Sequence, residues 1–401
     1  MGEHGVGLVL RAAKVFTPQR VIDDGVVLVE GKTIRAVGRS DEVMVPPQTT
    51  VMDVRPHIVA PGFIDLHVHG GNGSDFMDDT DADFETVTRF HAAGGTTALL
   101  ATTCAAPIED ICRVLRRVRD WQARPPVGSK VVGAHVEGPF FNLEMRGCHL
   151  PEYVINPQPS ALNPLLEHAD AMRHLTIAPE IDGALDAIER LRSAGVSVAA
   201  AHSAATCEDV DAAMRRGLHH VTHLYNAMSV FVQRGPRRLP GLAETALVRD
   251  ELTVELIADG FHVHPLRMQL AVKMKGISRV CLVTDAMRGA GMPDGIYAFG
   301  PRSGKRAFVR DGIAVMPEGT GFASSTIQMN RAVQVMVEQV GVSLADALTM
   351  ASAIPARVIG IDHRKGALRA GMDADIVVLD EQSQVRLTMV EGEVVYRVES
   401  P

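Results

Sequence analysis

The sequence predicts a (β/α)8 barrel of the TIM type beside a small β-sandwich domain that both ends of the chain form. From residue 58 onward, eight apolar runs of strand length alternate with longer amphipathic stretches. Five of these runs end in histidine or an acid, which is where barrel enzymes carry catalytic groups. The two ends of the chain contain only short segments rich in Val and Ile, divided by turn residues. An open, doubly wound sheet is the second choice.

Composition is typical of a globular enzyme and weakly excludes two classes of function. The chain has 401 residues, 46% hydrophobic and 22% charged, with a net charge of −8. An acidic chain argues against binding to nucleic acid or to a membrane surface, although a small anionic ligand stays possible. Five cysteines, an odd number, predict reduced thiols in a cytoplasmic protein. We expect neither a signal peptide nor a membrane span, because every apolar run is too short.

The change from short β segments to alternating apolar and amphipathic stretches predicts the domain limits. Residues 1–57 and 366–401 should form the small β domain, and residues 58–365 the catalytic barrel. Barrel strands are expected near residues 58–67, 96–103, 130–137, 174–180, 196–202, 219–223, 252–258 and 279–285. Helices are expected at 83–93, 108–122, 159–171, 183–193, 207–216, 242–249 and 265–275, with a β excursion over 286–318 and two further helices over 325–340 and 343–352.

The polar residues at the ends of these runs predict a metal-dependent site. Glu137, His202 and His223 offer one carboxylate and two imidazoles, which suits Zn²⁺ or Fe²⁺ and leaves a position open. Asp285, at the end of the last run, could take a proton from water and deliver it to a leaving group. His67 and His69 are two residues apart, so both face one side of a strand and could hold a second metal.

Structural roles compete with these functional ones. A single histidine at a strand end is usually a hydrogen-bonded structural residue, so the prediction depends on the set. His67 and His69 could serve only to shape the pocket. His135 could orient a metal ligand, while Asp65 and Asp259 are more simply read as partners of turn backbone. Purely structural roles are expected for His91, His168, His174 and His363.

Several longer motifs resemble a known family. The HxH of APGFIDLHVHG at 60–70 marks only the amidohydrolase superfamily. Further segments resemble the N-acetylglucosamine-6-phosphate deacetylases within it, and the resemblance covers nearly the whole chain. These segments are GAHVEGPF at 133–140, AAHSAAT at 200–206, VTHLYNAMS at 221–229, IADGFHVHP at 257–265, LVTDAMRGAGMPDG at 282–295 and GTGFASSTIQMNRAV at 319–333. Among them, HxEGPF, HLYNAM and TDAM with the Gly-rich segment after it are much more specific than the HxH.

The resemblance implies an activity and a set of residue roles. It implies a barrel with a small β domain, usually a homodimer, that hydrolyses the acetamide of N-acetylglucosamine 6-phosphate. It also implies one or two Zn or Fe ions per subunit, held by Glu137, His202 and His223, with Asp285 as acid and base and His67 and His69 as a second site. The implied substrate contacts are Cys148, His149, Asn226, Ala227, Arg234, His262, Phe322, Ala323 and Ser324, with Arg234 and His262 on the phosphate.

Other functions remain open from the sequence. The same plan could deacetylate N-acetylgalactosamine 6-phosphate or an N-acyl amino acid. A non-catalytic scaffold is a further alternative, although such proteins usually lose their metal-binding residues, and this chain keeps them. Arg234 stands in the basic loop RGPRR and could be only a solvated charge, and Asn226 could cap a turn.

Overall fold

The computed structural model describes residues 7–319 and 321–398, and it opens with five short strands. The predicted strand over 58–67 is in fact two strands that break at Gly62. Residues 58–61 pair in parallel with the first strand, so the barrel begins at Phe63 and not at residue 58. A side chain at Gly62 would collide with Thr97, which accounts for a glycine at the break. The five strands are β1 Leu8–Phe16, β2 Val21–Glu30, β3 Thr33–Arg39, β4 Thr50–Asp53 and β5 Ile58–Pro61.

Eight parallel strands then form the predicted barrel. They are hydrogen-bonded in chain order, and the first and last strands meet through Asp285 N–H to His67 O at 2.8 Å and His69 N–H to Ala286 O at 2.9 Å. A two-stranded hairpin follows the first strand (β7 Gly70–Gly71 with β8 Ser74–Asp75). The barrel strands are β6 Phe63–Val68, β9 Thr96–Thr103, β10 Lys130–Glu137, β11 Met172–Ile177, β12 Ser197–Ala200, β13 His220–Val221, β16 Thr253–Ile257 and β17 Val280–Val283.

Helices cover the outside of the barrel, and each buries one apolar stripe. In the second helix, Ile111, Leu115 and Val118 are spaced four and three residues apart and are all buried. The fifth helix begins with the capping box of Thr206 and Asp209. The helices are α1 Asp81–Ala93, α2 Ile108–Gln122, α3 Pro159–Leu166, α4 Ala184–Ser193, α5 Cys207–Arg215, α6 Leu242–Val248, α7 Pro265–Lys275, α8 Met329–Val335, α9 Leu344–Ala351 and α10 Ala353–Val358.

Two β insertions interrupt the barrel pattern. An exposed hairpin joins β14 Phe231–Arg234 to β15 Arg237–Pro240, and the sequence did not predict it. The excursion expected after the last barrel strand is a separate sheet of three strands, β18 Gly295–Ala298, β19 Arg306–Arg310 and β20 Ile313–Val315. The turn at Asp311-Gly312 connects its last two strands.

The last three strands complete a sheet that both ends of the chain share. They are β21 Ile376–Leu379, β22 Val385–Val390 and β23 Glu393–Arg397, and β21 pairs with β5 in antiparallel fashion. Hydrogen bonds connect the eight terminal strands into one sheet, which forms the small β domain expected from both ends of the chain. Thr388 Oγ1 donates to Ala92 O at 2.7 Å and fastens this sheet to α1 of the barrel.

Within residues 7–319 and 321–398, no helix has both the length and the apolar character that crossing a membrane requires.

Candidate active site

Six side chains that could bind a metal or transfer a proton lie together at one end of the barrel. All lie at or just beyond the carboxyl ends of five barrel strands, because parallel strands present those ends on the same face. Every one is buried, with at most 8% of its surface exposed. They are His67 near the end of β6 and His69 just after it, Glu137 at the end of β10, His202 after β12, His223 after β13 and Asp285 after β17.

The carboxylate of Glu137 lies at the centre of this group. Asp285 stands beside it, with Oδ1 at 3.4 Å from His67 Nε2 and 3.5 Å from His69 Nε2. Five imidazole Nε2 atoms lie 3.2–3.3 Å from the two Glu137 oxygens: those of His67, His202 and His223 on Oε1, and those of His69 and His149 on Oε2.

The contacts among these nitrogens fit a bound cation. His202 Nε2 is 3.1 Å from His223 Nε2, and His67 Nε2 is 3.3 Å from His69 Nε2. His202 donates its Nδ1 proton to the Met145 carbonyl at 2.9 Å, so the neutral ring presents a lone pair at Nε2. Lone pairs that point at one another and at a carboxylate repel unless a positive charge lies between them. The donor set therefore suits a divalent metal of the borderline class.

The pKa values of the buried groups also indicate that this site favours a positive charge. Burial alone would lower the pKa of His69, but the carboxylates of Asp285 and Glu137 raise it to about 9. Burial alone would raise the pKa of Asp285, but His67 and His69 lower it to about 2. The carboxylates thus stay ionised and draw protons onto buried imidazoles. A divalent cation would satisfy this negative site without those protons.

His149 plays a different part from the other histidines. Its donor atom lies within 4.8 Å of those of Glu137 and His202, so distance alone would include it in a metal site. However, its Nδ1 accepts a hydrogen bond from Ala105 N–H at 3.2 Å. In the neutral ring the proton is then on Nε2, which donates to Glu137 Oε2. His149 is therefore suited to donate to a substrate carbonyl and not to ligate a metal.

Backbone strain is concentrated at this site. Six residues other than glycine that line the cavity have a positive φ, between 33° and 79°. Such conformations cost about 1–3 kcal/mol each and persist where surrounding contacts enforce them, often at functional sites. The six residues are His202, His223, Tyr225, Ala227, Asp285 and Ser324.

A cavity of about 360 Å³ opens above the six side chains, a size that suits a small ligand. Ala323 is fully buried outside the cavity, and Arg234 lies on the β14–β15 hairpin with its side chain 61% exposed. Among the described residues, the cavity lining contains no lysine or arginine. Seven of the nine predicted substrate contacts do line it: Cys148, His149, Asn226, Ala227, His262, Phe322 and Ser324.

Several residues of the site were not predicted from the sequence. Phe299 lines the cavity from the β excursion, where no motif pointed to it, and Tyr225 does so from within the quoted motif HLYNAM. Glu255, in mid-strand on β16, accepts the His223 N–H at 3.1 Å and lies 3.4 Å from His67 Nδ1. An acid within the apolar run TVELI was the signal that could have revealed it.

The residues with ambiguous roles have structural partners. Asp65 accepts from the backbone of His67 and from both Thr284 N–H and Oγ1–H. Asp259 accepts from the backbone of residues 261 and 262 and from His262 Nδ1–H at 2.6 Å, so it also orients that cavity imidazole. His135 forms hydrogen bonds with Leu66 O and Thr176 Oγ1, and its ring packs edge-on against His67 with centroids 4.7 Å apart.

A model of the amidohydrolase family matches residues 58–395, which is most of the chain. The chain belongs to the amidohydrolase family. It is therefore a hydrolytic enzyme, and the predicted superfamily is confirmed. The metal dependence of this family agrees with the donor sets at the end of the barrel.

Individual relatives of this amidohydrolase are similar over nearly their whole length. The N-acetylgalactosamine-6-phosphate deacetylase of Escherichia coli O157:H7 is 35% identical over 96% of this chain and 98% of its own. The N-acetylglucosamine-6-phosphate deacetylase of Bacillus subtilis is 32% identical over 97% of both chains. Among solved structures, a mutant of the Mycobacterium smegmatis N-acetyl-D-glucosamine-6-phosphate deacetylase in complex with N-acetyl-D-glucosamine-6-phosphate is 33% identical, with a TM-score of 0.89 over 98% of this chain and 100% of its own.

Proposed function

We propose that this amidohydrolase removes the acetyl group of N-acetylglucosamine 6-phosphate, giving glucosamine 6-phosphate and acetate. One observation carries the proposal: a donor, His149 Nε2–H, and a carboxylate, Asp285, flank the Glu137 centre in one small cavity. Amide hydrolysis needs both, because charge grows on the carbonyl oxygen while the amine needs a proton to leave. The deacetylase relatives support the acetamide as the bond that is cleaved.

We propose Glu137, His202 and His223 as the ligands of a primary Zn²⁺ or Fe²⁺ ion. His67 and His69 would hold a second ion, so one or two ions per subunit are expected. A metal bound there would polarise the carbonyl and lower the pKa of a water molecule to roughly 7. The support is the converging set of Nε2 lone pairs around the Glu137 carboxylate, whose pKa the surrounding imidazoles lower although burial opposes this.

The protein's own groups would handle the protons. His149 Nε2–H would donate to the acetamide oxygen and stabilise the charge that develops there in the transition state. Asp285 would accept a proton from the attacking water and return it to the amine nitrogen as the C–N bond breaks. Ser324 Oγ donates to Asp285 Oδ1 at 2.8 Å and holds the carboxylate in orientation for both transfers.

At the other end of the cavity, we propose that His262 and Asn226 bind the sugar phosphate. Asp259 Oδ2 accepts a hydrogen bond from His262 Nδ1–H, so a ring that carries protons on both nitrogens would donate Nε2–H to a phosphate oxygen. Phe322 packs on His262 with ring centroids 4.3 Å apart and offers an apolar face to the sugar. Ala227 and Cys148, which also line the cavity, would complete this surface, with Ala323 buried behind the cavity wall.

We also propose that the enzyme works as a homodimer in which the β14–β15 hairpin of one subunit reaches the partner's cavity. A dianionic phosphate needs a cation, yet the described lining contains neither lysine nor arginine. Arg234 stands exposed on the hairpin, with its nearest acid, Asp209, at 3.9 Å. Exposed apolar side chains that a partner could cover lie on and near the hairpin: Phe231, Val248, Leu266, Leu270 and Met274.

A cytoplasmic location is part of the proposal. Its support is the five cysteines, none of which forms a disulfide, and the phosphorylated substrate.

The galacto epimer is a second candidate substrate, because the Escherichia coli relative named for it is 35% identical to this chain. The test is acetate release by purified, metal-replete protein from the two 6-phosphates, from unphosphorylated N-acetylglucosamine and from an N-acetyl amino acid. We expect the highest kcat/KM on N-acetylglucosamine 6-phosphate. A higher value on the galacto ester would replace the substrate, and release from the amino acid alone would overturn the proposal.

A further inference from the structure

The aromatic ring of Phe299 stands against the reacting centre. Its side chain is buried and lines the cavity. Its ring centroid is 4.9 Å from that of His69 and 5.4 Å from that of His149, both in edge-on geometry. These two imidazoles are the ones whose Nε2 atoms contact Glu137 Oε2. Only one side chain therefore separates the phenyl ring from the carboxylate at the centre of the site.

A buried arginine fixes the backbone on both sides of Phe299. Arg288 Nε donates to Ala298 O at 3.0 Å, and its Nη2 donates to Gly300 O at 2.6 Å. The same guanidinium forms two hydrogen bonds with the Asp78 carboxylate, at 2.9 and 3.0 Å. Such a bidentate pair holds the guanidinium in one orientation. The carbonyls before and after Phe299 thus share one rigid anchor.

Packing restricts the backbone at residues 299–300 to one conformation. Gly300 has φ of +70°, and a Cβ atom there would lie 2.5 Å from Cys104 Sγ, so only glycine fits. Phe299 N–H donates to Lys305 O at 2.8 Å. The phenyl ring cannot withdraw by a change in its backbone without breaking these contacts.

We propose that Phe299 limits the length of the acyl group that the enzyme can remove. This inference rests on the proposed deacetylase function. With the carbonyl oxygen at His149 and the amine facing Asp285, the remaining substituent of the carbonyl carbon is the acyl chain. Phe299 supplies an apolar wall beside His149 and His69, and we place the methyl group of the acetyl against it. A propionyl or butyryl chain would meet a ring that its anchored backbone holds in place.

The test compares acyl chain lengths on one sugar phosphate. kcat/KM is measured for N-acetyl-, N-propionyl- and N-butyrylglucosamine 6-phosphate with the wild type, Phe299→Leu and Phe299→Ala. One methylene in a tight pocket typically changes kcat/KM by about 10- to 200-fold, so the wild type should lose at least about tenfold per added carbon. In Phe299→Ala the three substrates should differ by less than about threefold, and Phe299→Leu should be intermediate. Phe299→Leu also gives a reading if the alanine variant is unstable.

Phe322→Ala is the matched control, since Phe322 is a cavity phenylalanine that packs on His262 and not on His69 or His149. It should raise KM for all three substrates by a similar factor and leave the acyl preference unchanged. A wild type that cleaves butyryl as fast as acetyl would overturn the proposal. Unchanged acyl preference in both Phe299 variants would do so as well, while acetyl cleavage by the wild type would keep the proposed function intact. Absence of cleavage of any N-acylglucosamine 6-phosphate by the wild type would overturn both.

Discussion

For His202 and His149, the hydrogen bond at one ring nitrogen decides what the other nitrogen can do. Met145 O accepts a hydrogen bond from His202 Nδ1–H, which leaves a lone pair on Nε2 that faces Glu137. At His149 the Ala105 N–H occupies Nδ1, so the nitrogen facing Glu137 carries the proton. Two imidazoles at nearly the same distance from one carboxylate are thus suited to opposite tasks, metal ligation and hydrogen-bond donation.

The acid and base role of Asp285 leads to a prediction about single residues. Asp285→Asn should lower kcat by about 10²- to 10⁴-fold, because the amide can neither accept the proton of water nor return it to the amine. The metal content should stay close to that of the wild type, since Glu137, His202 and His223 are unchanged. Steady-state kinetics and elemental analysis of the same preparation would check both statements. Turnover near the wild-type value would remove Asp285 from the mechanism.

Strand-end position made the site's central residues predictable, and the same reasoning could not reach the others. Glu137, His202, His223 and Asp285 each end an apolar run, and parallel strands bring such ends together. Phe299 comes from an insertion whose placement depends on Arg288, which binds the carbonyls of residues 298 and 300 and also pairs with Asp78, distant in sequence. Glu255 lies inside a strand, and only the closed barrel shows that it contacts His67 and His223.

At the level of secondary-structure elements, the β14–β15 hairpin has the features of a surface that a partner would cover. It is solvent-exposed, carries Arg234 at the end of its first strand, and stands beside exposed apolar side chains. Its four-residue strands are too short and too polar to give a periodic sequence signal, so the sequence predicted only a basic loop here. In the proposed homodimer the hairpin would contact a second subunit, and the hydrophobic pattern of one chain does not indicate such a contact.

A prediction about this hairpin uses two defective chains. Arg234→Ala should raise KM for the phosphorylated sugar by about 10- to 100-fold with little change for the unphosphorylated one, because it removes a charge-assisted hydrogen bond to phosphate. If the arginine acts across the interface, co-expression of Arg234→Ala and Asp285→Asn chains gives mixed dimers with one intact site. Differently tagged chains allow those dimers to be isolated. Mixed dimers no more active than either parent would place Arg234 in its own subunit's site or outside catalysis.

Element boundaries failed where a long-range contact decides them. The apolar run at 58–67 looks like one strand, but Gly62 N–H donates to Asp375 O, and residues 58–61 join the terminal sheet. The helix expected from residue 325 begins only at Met329, because Ser325 N–H donates to Asp285 O and Ser325 O accepts from Met287 N–H. These partners are distant in sequence, so the secondary-structure propensity of the local residues does not indicate them.

For the whole molecule, buried charge links stability to pH. Asp75 is fully buried, its Oδ1 accepts from Met77 N–H at 2.9 Å, and its Oδ2 has no hydrogen-bond partner in the described structure. Burial raises the pKa of Asp75 to about 7, although the positive charge of Arg288 opposes that rise. The folded protein therefore holds this proton more tightly than the unfolded chain does.

The sign of the resulting effect is testable. The stabilisation from the Asp75 proton is complete below the unfolded pKa of about 3.9 and is lost as the pH rises to about 7. Asp75→Asn, which cannot ionise, should therefore lose less free energy of unfolding between pH 5 and pH 8 than the wild type does. Urea denaturation of metal-free protein at both values measures this difference. Asp53→Asn is a control, because hydrogen bonds from Arg55 lower the pKa of Asp53 to about 2, outside that window. Equal losses in the wild type and Asp75→Asn would contradict the assignment.

The shared terminal sheet has a consequence for synthesis. Strand β5 ends at Pro61, but its neighbour β21 begins at Ile376, so one edge of the early sheet must wait for the last part of the chain. At ~5–20 residues per second, translation of the intervening segment takes on the order of 15–60 s. Throughout that time the nascent chain displays an unpaired β edge of the kind that recruits other strands. A message that ends before codon 376 would leave that edge open permanently, so the product should be cleared by proteolysis or aggregate even though every catalytic residue had been made.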